Sequence, residues 1–188
     1  YLGGKNLDEA VVNKILMPSL KEDYVLSSYE TTEWKKKALI DALKGPAEEM
    51  RIALSFADSA DYSTYDRNLN LGQDDNGEEI DLEITITKDQ LIDAIGEQYK
   101  KAVGICKKLL ERNGLTGKDL SSLILVGGPT YSPIIRDMLK AEITPNVDTS
   151  INPMTAVARG AALYASTIDA NINEAEIKKE AKSEIVFL

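Results

Sequence analysis

An apolar run, Leu123-Ile124-Leu125-Val126, ends on Gly127-Gly128, and Ser132-Pro133 follows as an N-cap and first-turn proline for a helix. Strand, paired glycines and capped helix form a geometry that accepts a phosphate or a nucleoside. Glycine lets a ligand touch the main chain, and the helix start aims N–H groups at it. On spacing alone a tight turn between strand and helix is the favoured account of the segment. Neither a P-loop nor a dinucleotide-binding glycine pattern occurs.

The other reactive residue types narrow the field. Histidine is absent, which removes histidine triads, the commonest neutral-pH general base and the commonest zinc ligand. The single cysteine, Cys106, lies in an apolar-periodic stretch and reads as a buried helix residue. It permits neither a disulfide framework nor a thiolate metal site within one chain. Of the 31 Asp and Glu residues no pair has a spacing that implies metal or acid–base work. A formal net charge of -9 argues against nucleic acid or an anionic membrane as partner, and Lys35-Lys36-Lys37 reads as a solvated helix face. No membrane-length apolar run or signal peptide stands out in the 188 residues, and the expected location is cytoplasmic.

These residues need elements to hold them. Asp8 caps an expected helix from Glu9, with Val11, Val12, Ile15 and Leu16 along one side and Pro18 kinking or closing it. A second helix is expected from Thr32 to Leu54, burying Trp34, Ala38, Leu39, Ala42 and Leu43 and bending or restarting at Gly45-Pro46. Asn68–Leu71 and Leu82–Ile86 alternate as strands, and Asp74-Asp75-Asn76-Gly77 between them signals a hairpin. Thr87-Lys88-Asp89-Gln90 is a capping box opening a long helix, whose expected apolar face includes Leu91, Ile92, Ile95, Tyr99, Val103, Cys106 and Leu109, and Gly114 closes it. Leu123–Val126 suits a strand buried on both faces. Asn152-Pro153 precedes a helix of small residues, Ala156 to Ala165, expected to lie tight against a sheet. The polar stretch 169–182 reads as a linker, and both ends read as cuts inside a longer protein.

Three segments in order carry a family resemblance. Leu123 to Thr130 with Pro133 resembles the ILVGGxTRxP segment of the seventy-kilodalton heat-shock (DnaK-type) chaperones. Ser150-Ile151-Asn152-Pro153 with Ala156 to Ala162 is similar to that family's xxNPDEAVAxGAA helix, and Leu2 to Asp8 is similar to LGGEDFD. The resemblance covers about residues 1 to 168. It implies an α/β chain with the actin-like ATPase fold, specifically its second lobe: a small helical and hairpin subdomain over 1–86, part of the sheet-bearing subdomain over 87–168, then a linker and the start of another domain.

By position the resemblance makes Glu48, Arg51 and Ser55 the helix residues that hydrogen-bond ribose and adenine, while Gly127 and Gly128 approach the nucleotide and Gly3-Gly4 lies near its phosphates. The two basic side chains that commonly bracket adenine are replaced by Ile52 and Tyr131, Met154 stands where an acid follows Asn-Pro, and Pro129 removes a donor. The implied cofactor is ATP or ADP, its magnesium held mainly by the absent lobe, which also carries the catalytic groups. The implied partners are a nucleotide-exchange factor, a J-domain co-chaperone and unfolded client proteins, in a stress response. An actin-like scaffold or regulator that has lost turnover is the alternative, and an actin-fold small-molecule kinase is a third reading.

Overall fold

The structure, a computed structural model, describes residues 3–169. Tyr1, Leu2, the rest of the expected linker and the apolar tail lie outside the described residues. The chain divides into two units, one ending at Gln98 and the other beginning at Tyr99.

The first unit opens with a contiguous helical run: α1 (Gly4–Val11), a π-helical turn (Val12–Leu16) and α2 (Met17–Asp23). The run begins at Gly4, not Glu9, because the side-chain oxygen of Asn6 accepts the N–H of Gly3 at 3.0 Å and holds the start. Asp8 is therefore no cap; it points inward and is buried. Pro18 sits in the first turn of α2 and does not end the run. The widened turn just before it relieves the clash of its ring with the carbonyl one turn back.

Helix α3 (Ser27–Thr31) leads into α4 (Glu33–Ala53), whose buried line is Leu39, Leu43, Ala47 and Met50, continued by Leu54. Trp34 is 69 % exposed, against expectation. It stands five positions before Leu39, roughly 140° around a helix of 3.6 residues per turn, and so faces away from that line. Ala38 is likewise exposed. The helix runs through Gly45-Pro46 without a restart.

Strand β1 (Ser59–Ser63) pairs antiparallel with β2 (Glu83–Thr87), from Ser59 opposite Thr87 to Ser63 opposite Glu83. The expected Asn68–Leu71 strand is absent, since Asn68 takes a positive φ of 50° and breaks extension. The Asp-Asn-Gly turn does form, with Gly77 at φ 83°, but the pairing around it is a single bridge, Gln73 to Glu79. Its anchors are carboxylates. Asp74 accepts the N–H groups of Val25 at 3.1 Å, Asn76 at 2.8 Å and Glu78 at 2.9 Å. Asp75 accepts the N–H of Ser28 at 2.8 Å and its hydroxyl as well. Burial pushes the Asp74 carboxyl up, but the backbone donors of Glu78, Val25 and Asn76 outweigh it and hold it below the usual carboxylate range. The Ser28 hydroxyl and N–H hold Asp75 below that range too.

Helix α5 (Lys88–Arg112) starts on the expected capping box: Gln90 Oε1 accepts the Thr87 N–H at 2.8 Å, and Thr87 Oγ1 accepts the Gln90 N–H at 3.3 Å. The division between units falls inside α5. Leu91, Ala94 and Ile95 are buried in the first unit, and Tyr99, Val103, Cys106 and Leu110 in the second. Ile92 and Leu109 are partly exposed instead. The end is a Schellman motif: Leu115 N–H donates to Leu110 O at 2.9 Å past Gly114 at φ 66°.

In the second unit β3 (Leu123–Ile124) pairs in parallel with β4 (Val147–Asp148), joined by a 3₁₀ turn (Gly128–Tyr131) and α6 (Pro133–Glu142). Leu123 and Leu125 are buried while Ile124 and Val126 are half-buried, so this run covers one face and not both. Helix α7 (Ala156–Asp169) does not lie tight: Val157, Leu163, Tyr164 and Ile168 are all more than 60 % exposed. An open hollow of about 800 Å³, with Ile124, Val126 and Ile151 on one side and Gly160 and Leu163 on the other, separates the two surfaces. Elsewhere the packing is close. A Cβ on Gly117 would stand 1.6 Å from the carbonyl oxygen of Ile143, just past the end of α6.

Gly117→Ala is therefore expected to cost roughly 1–3 kcal/mol of stability in a denaturant titration, because main chain must move to admit the methyl group. The depressed carboxyls of Asp74 and Asp75 contribute stability that is present above the ordinary carboxylate range and lost as pH falls through their folded-state values. The thermal midpoint should drop on acidification, and less steeply in Asp75→Asn.

Candidate functional site

The expected site residues fall into two groups, one in each unit. In the first unit α4 carries Glu48, Arg51 and Ile52 near its end, Ser55 lies in the turn just past it, and α1 begins at Gly4. Gly3 and Gly4 put the first-turn N–H groups of α1 near the surface, Gly3 being exposed.

Arg51 is buried, its side chain 7 % exposed, and its Nε donates to Asp8 Oδ1 at 2.7 Å. The Asp8 side chain is 8 % exposed, so both charges have left water together. One terminal nitrogen of Arg51 lies 3.7 Å from Glu48 Oε1, which remains 59 % exposed. The guanidinium thus presents Glu48 at the surface while its own Nε faces inward. Ser55 Oγ donates to the Arg51 carbonyl at 3.2 Å, and Ile52 is 49 % exposed. The structure brings Glu48, Arg51 and Ser55 together and adds Asp8, which the sequence reading places in a cap. The signal that could have found it is Asp8 sharing a helix face with Val11 and Val12, both fully buried.

In the second unit the bend at Gly127-Gly128 is real but differs in form from a strand running into a helix. Gly127 has φ 91° and ψ 153°, a region open essentially to glycine alone. Its N–H donates to the Pro153 carbonyl at 3.0 Å, and its carbonyl accepts the Thr130 hydroxyl at 2.7 Å. A 3₁₀ turn then intervenes before α6, and Ser132, although buried in the N-cap position, makes no side-chain cap bond.

Both main-chain groups of Gly127 are occupied within the protein, so Gly127 itself offers close approach and not a donor. That approach is open: a Cβ built on Gly127 meets nothing within 4 Å, whereas one on Gly128 would touch Met154 Sδ at 3.4 Å.

Tyr131 is half-exposed, with its hydroxyl donating to Asn152 Oδ1 at 2.9 Å. The Arg136 guanidinium lies 5.7 Å from the ring centroid, and Arg136 Nε donates to the Thr130 carbonyl at 2.7 Å. Cys106 is buried, and burial pushes its thiol up from its ordinary value, away from the reactive thiolate form. Among the described residues no group of three or more Cys, Asp or Glu is placed to hold a metal ion, and no helix is long and apolar enough to cross a membrane.

Comparison with known proteins gives a consistent picture. A sequence model of the Hsp70 protein family matches residues 1–180. The chain is 27 % identical over 174 residues to the chaperone protein DnaK of Nitrosopumilus maritimus (strain SCM1), covering 91 % of this chain and 25 % of that protein. It is 26 % identical over 178 residues to the mitochondrial heat shock 70 kDa protein of Solanum tuberosum, covering 93 % of this chain and 24 % of that one. The chain thus spans about a quarter of the length of these relatives.

Breaking the buried pair should show at once. Arg51→Met strands the Asp8 carboxylate in the interior and is expected to cost about 3–5 kcal/mol in urea unfolding, while adding Asp8→Leu should recover most of the loss.

Proposed function

The chain belongs to the Hsp70 protein family, and on that footing we propose that it is the second lobe of an actin-like ATPase domain, serving the adenosine end of ATP or ADP in a DnaK-type chaperone. Residues 1–86 would form the small subdomain of that lobe and 87–168 part of its sheet-bearing subdomain.

The observation that carries the reading is Gly127, held at φ 91° with open space where any side chain would stand. A glycine locked by its neighbours into that conformation, yet facing nothing, suits main chain that a ligand must approach closely. Tyr131 beside it provides a π face for a purine, an interaction worth on the order of 1–3 kcal/mol. On α4, Glu48 is an exposed acceptor suited to ribose hydroxyls, Arg51 sets its position from beneath and Ile52 offers an apolar surface, while Ser55 just past the helix offers a hydroxyl. Gly3 and Gly4 lead into a helix start whose N–H groups suit phosphate oxygens.

Neither metal positioning nor phosphoryl transfer is assigned to this chain; both belong to the other lobe in this proposal. Exchange factor, J-domain co-chaperone and unfolded clients are then partners of the whole protein, as are the stress response and a cytoplasmic setting.

Calorimetric titration of ADP into the full-length protein tests the proposal, with binding expected below millimolar concentration and Tyr131→Ala weakening it about tenfold or more. Absence of heat at millimolar ADP would remove the nucleotide-binding role.

A further inference from the structure

Tyr131 is held at both ends. Its hydroxyl donates to Asn152 Oδ1 at 2.9 Å, and the same oxygen accepts the Met154 N–H at 2.9 Å, so the acceptor is itself fixed by its own turn. At the other end the Arg136 guanidinium lies 5.7 Å from the ring centroid. Arg136 in turn is pinned, its Nε donating to the Thr130 carbonyl at 2.7 Å. The residue after Asn152, Pro153, accepts the Gly127 N–H at 3.0 Å, which ties the same turn to the glycine bend. Despite these restraints the tyrosine keeps 36 % of its surface exposed.

An exposed aromatic side chain that a ligand must order loses rotamer freedom on binding, and that loss subtracts from affinity. A ring already fixed by a latch and a cation avoids most of it. The cation also draws on the ring's π density, which polarises it for contact with an electron-rich base.

We propose that Asn152 and Arg136 are positioning residues that hold the Tyr131 ring as a preset wall for a purine. The role rests on the adenine-nucleotide reading above. Asn152 fixes the ring's angle through the hydroxyl, and Arg136 fixes its tilt from α6. Neither has to touch the nucleotide.

The test compares ADP and UDP binding by calorimetry in the full-length protein carrying Tyr131→Phe, Arg136→Gln, Asn152→Ala, or Tyr131→Phe with Asn152→Ala. Melting temperature without nucleotide is recorded for each. Tyr131→Phe keeps the ring and removes only the latch, so it tests the latch even where Asn152→Ala disturbs its turn.

Each of Tyr131→Phe and Arg136→Gln is expected to weaken ADP about three- to tenfold. UDP should weaken less, because a pyrimidine has less area to stack, so the ADP-to-UDP affinity ratio falls. The double variant should bind ADP no more weakly than Asn152→Ala alone, since both changes break one bond. ADP affinity unchanged in Tyr131→Phe and Arg136→Gln, or ADP and UDP weakened equally, overturns the positioning role while leaving nucleotide binding intact. An unmodified protein that binds neither nucleotide overturns the underlying reading and this role with it.

Discussion

The carboxylate of Asp8 and the guanidinium of Arg51 lie sealed from water, and the upper end of the first unit is organised around that pair. Two charges taken out of solvent hold each other in place, because either one left alone in the interior would be strongly destabilising. The consequence is geometric. Helix α1 is clamped to the last turns of α4, and the backbone that carries Glu48, Ile52 and Ser55 inherits that position. Arg51 reads from sequence as a ligand contact, but its Nε is spent inside the protein, and the guanidinium edge near Glu48 is what remains for the surface.

The second unit solves a related problem with neutral groups. Gly127 has its N–H and carbonyl satisfied by Pro153 and Thr130, so its conformation needs no ligand to be stable. Nearby, Tyr131, Asn152 and Arg136 make a small network in which each polar group used has a named partner. A surface fixed in this way loses little freedom when something docks on it. It also explains how Pro129 can stand in the 3₁₀ turn: the turn is braced by Thr130 and Gly127 on either side, and the donor that proline lacks has no role there.

Much of this was legible before any coordinates. The capping box at Thr87 and Gln90, the Gly114 stop and the Asn76-Gly77 turn are local chemistry, written in a few adjacent residues, and they form as expected. The three ordered motifs were enough to indicate the family. What sequence could not supply was partnership at a distance. Strand β1, Ser-Ala-Asp-Tyr-Ser, contains one buried apolar side chain, Tyr62, so no alternation marks it. Asn68 to Leu71 alternates well but opens on a residue with positive φ. Trp34 is apolar and lies in a helix, yet the buried line begins only at Leu39. Asp8 has the right residue type for a cap, and only the arrival of Arg51 across the fold gives it another use.

The π-helical turn at Val12–Leu16 has a further effect beyond making room for Pro18. Asp8, Val12, Leu16 and Leu20 recur every four residues and all are buried. In a pure α-helix a four-residue repeat overshoots each turn and the line winds steadily off the core. One wider turn in the middle rotates the line back, as a gear with an extra tooth keeps two wheels in phase. Deleting a single residue there would restore a regular helix with Leu16 and Leu20 still turned to the interior, whereas deleting two would swing both off the core, so the segment tolerates loss of its extra residue far better than any larger change of length.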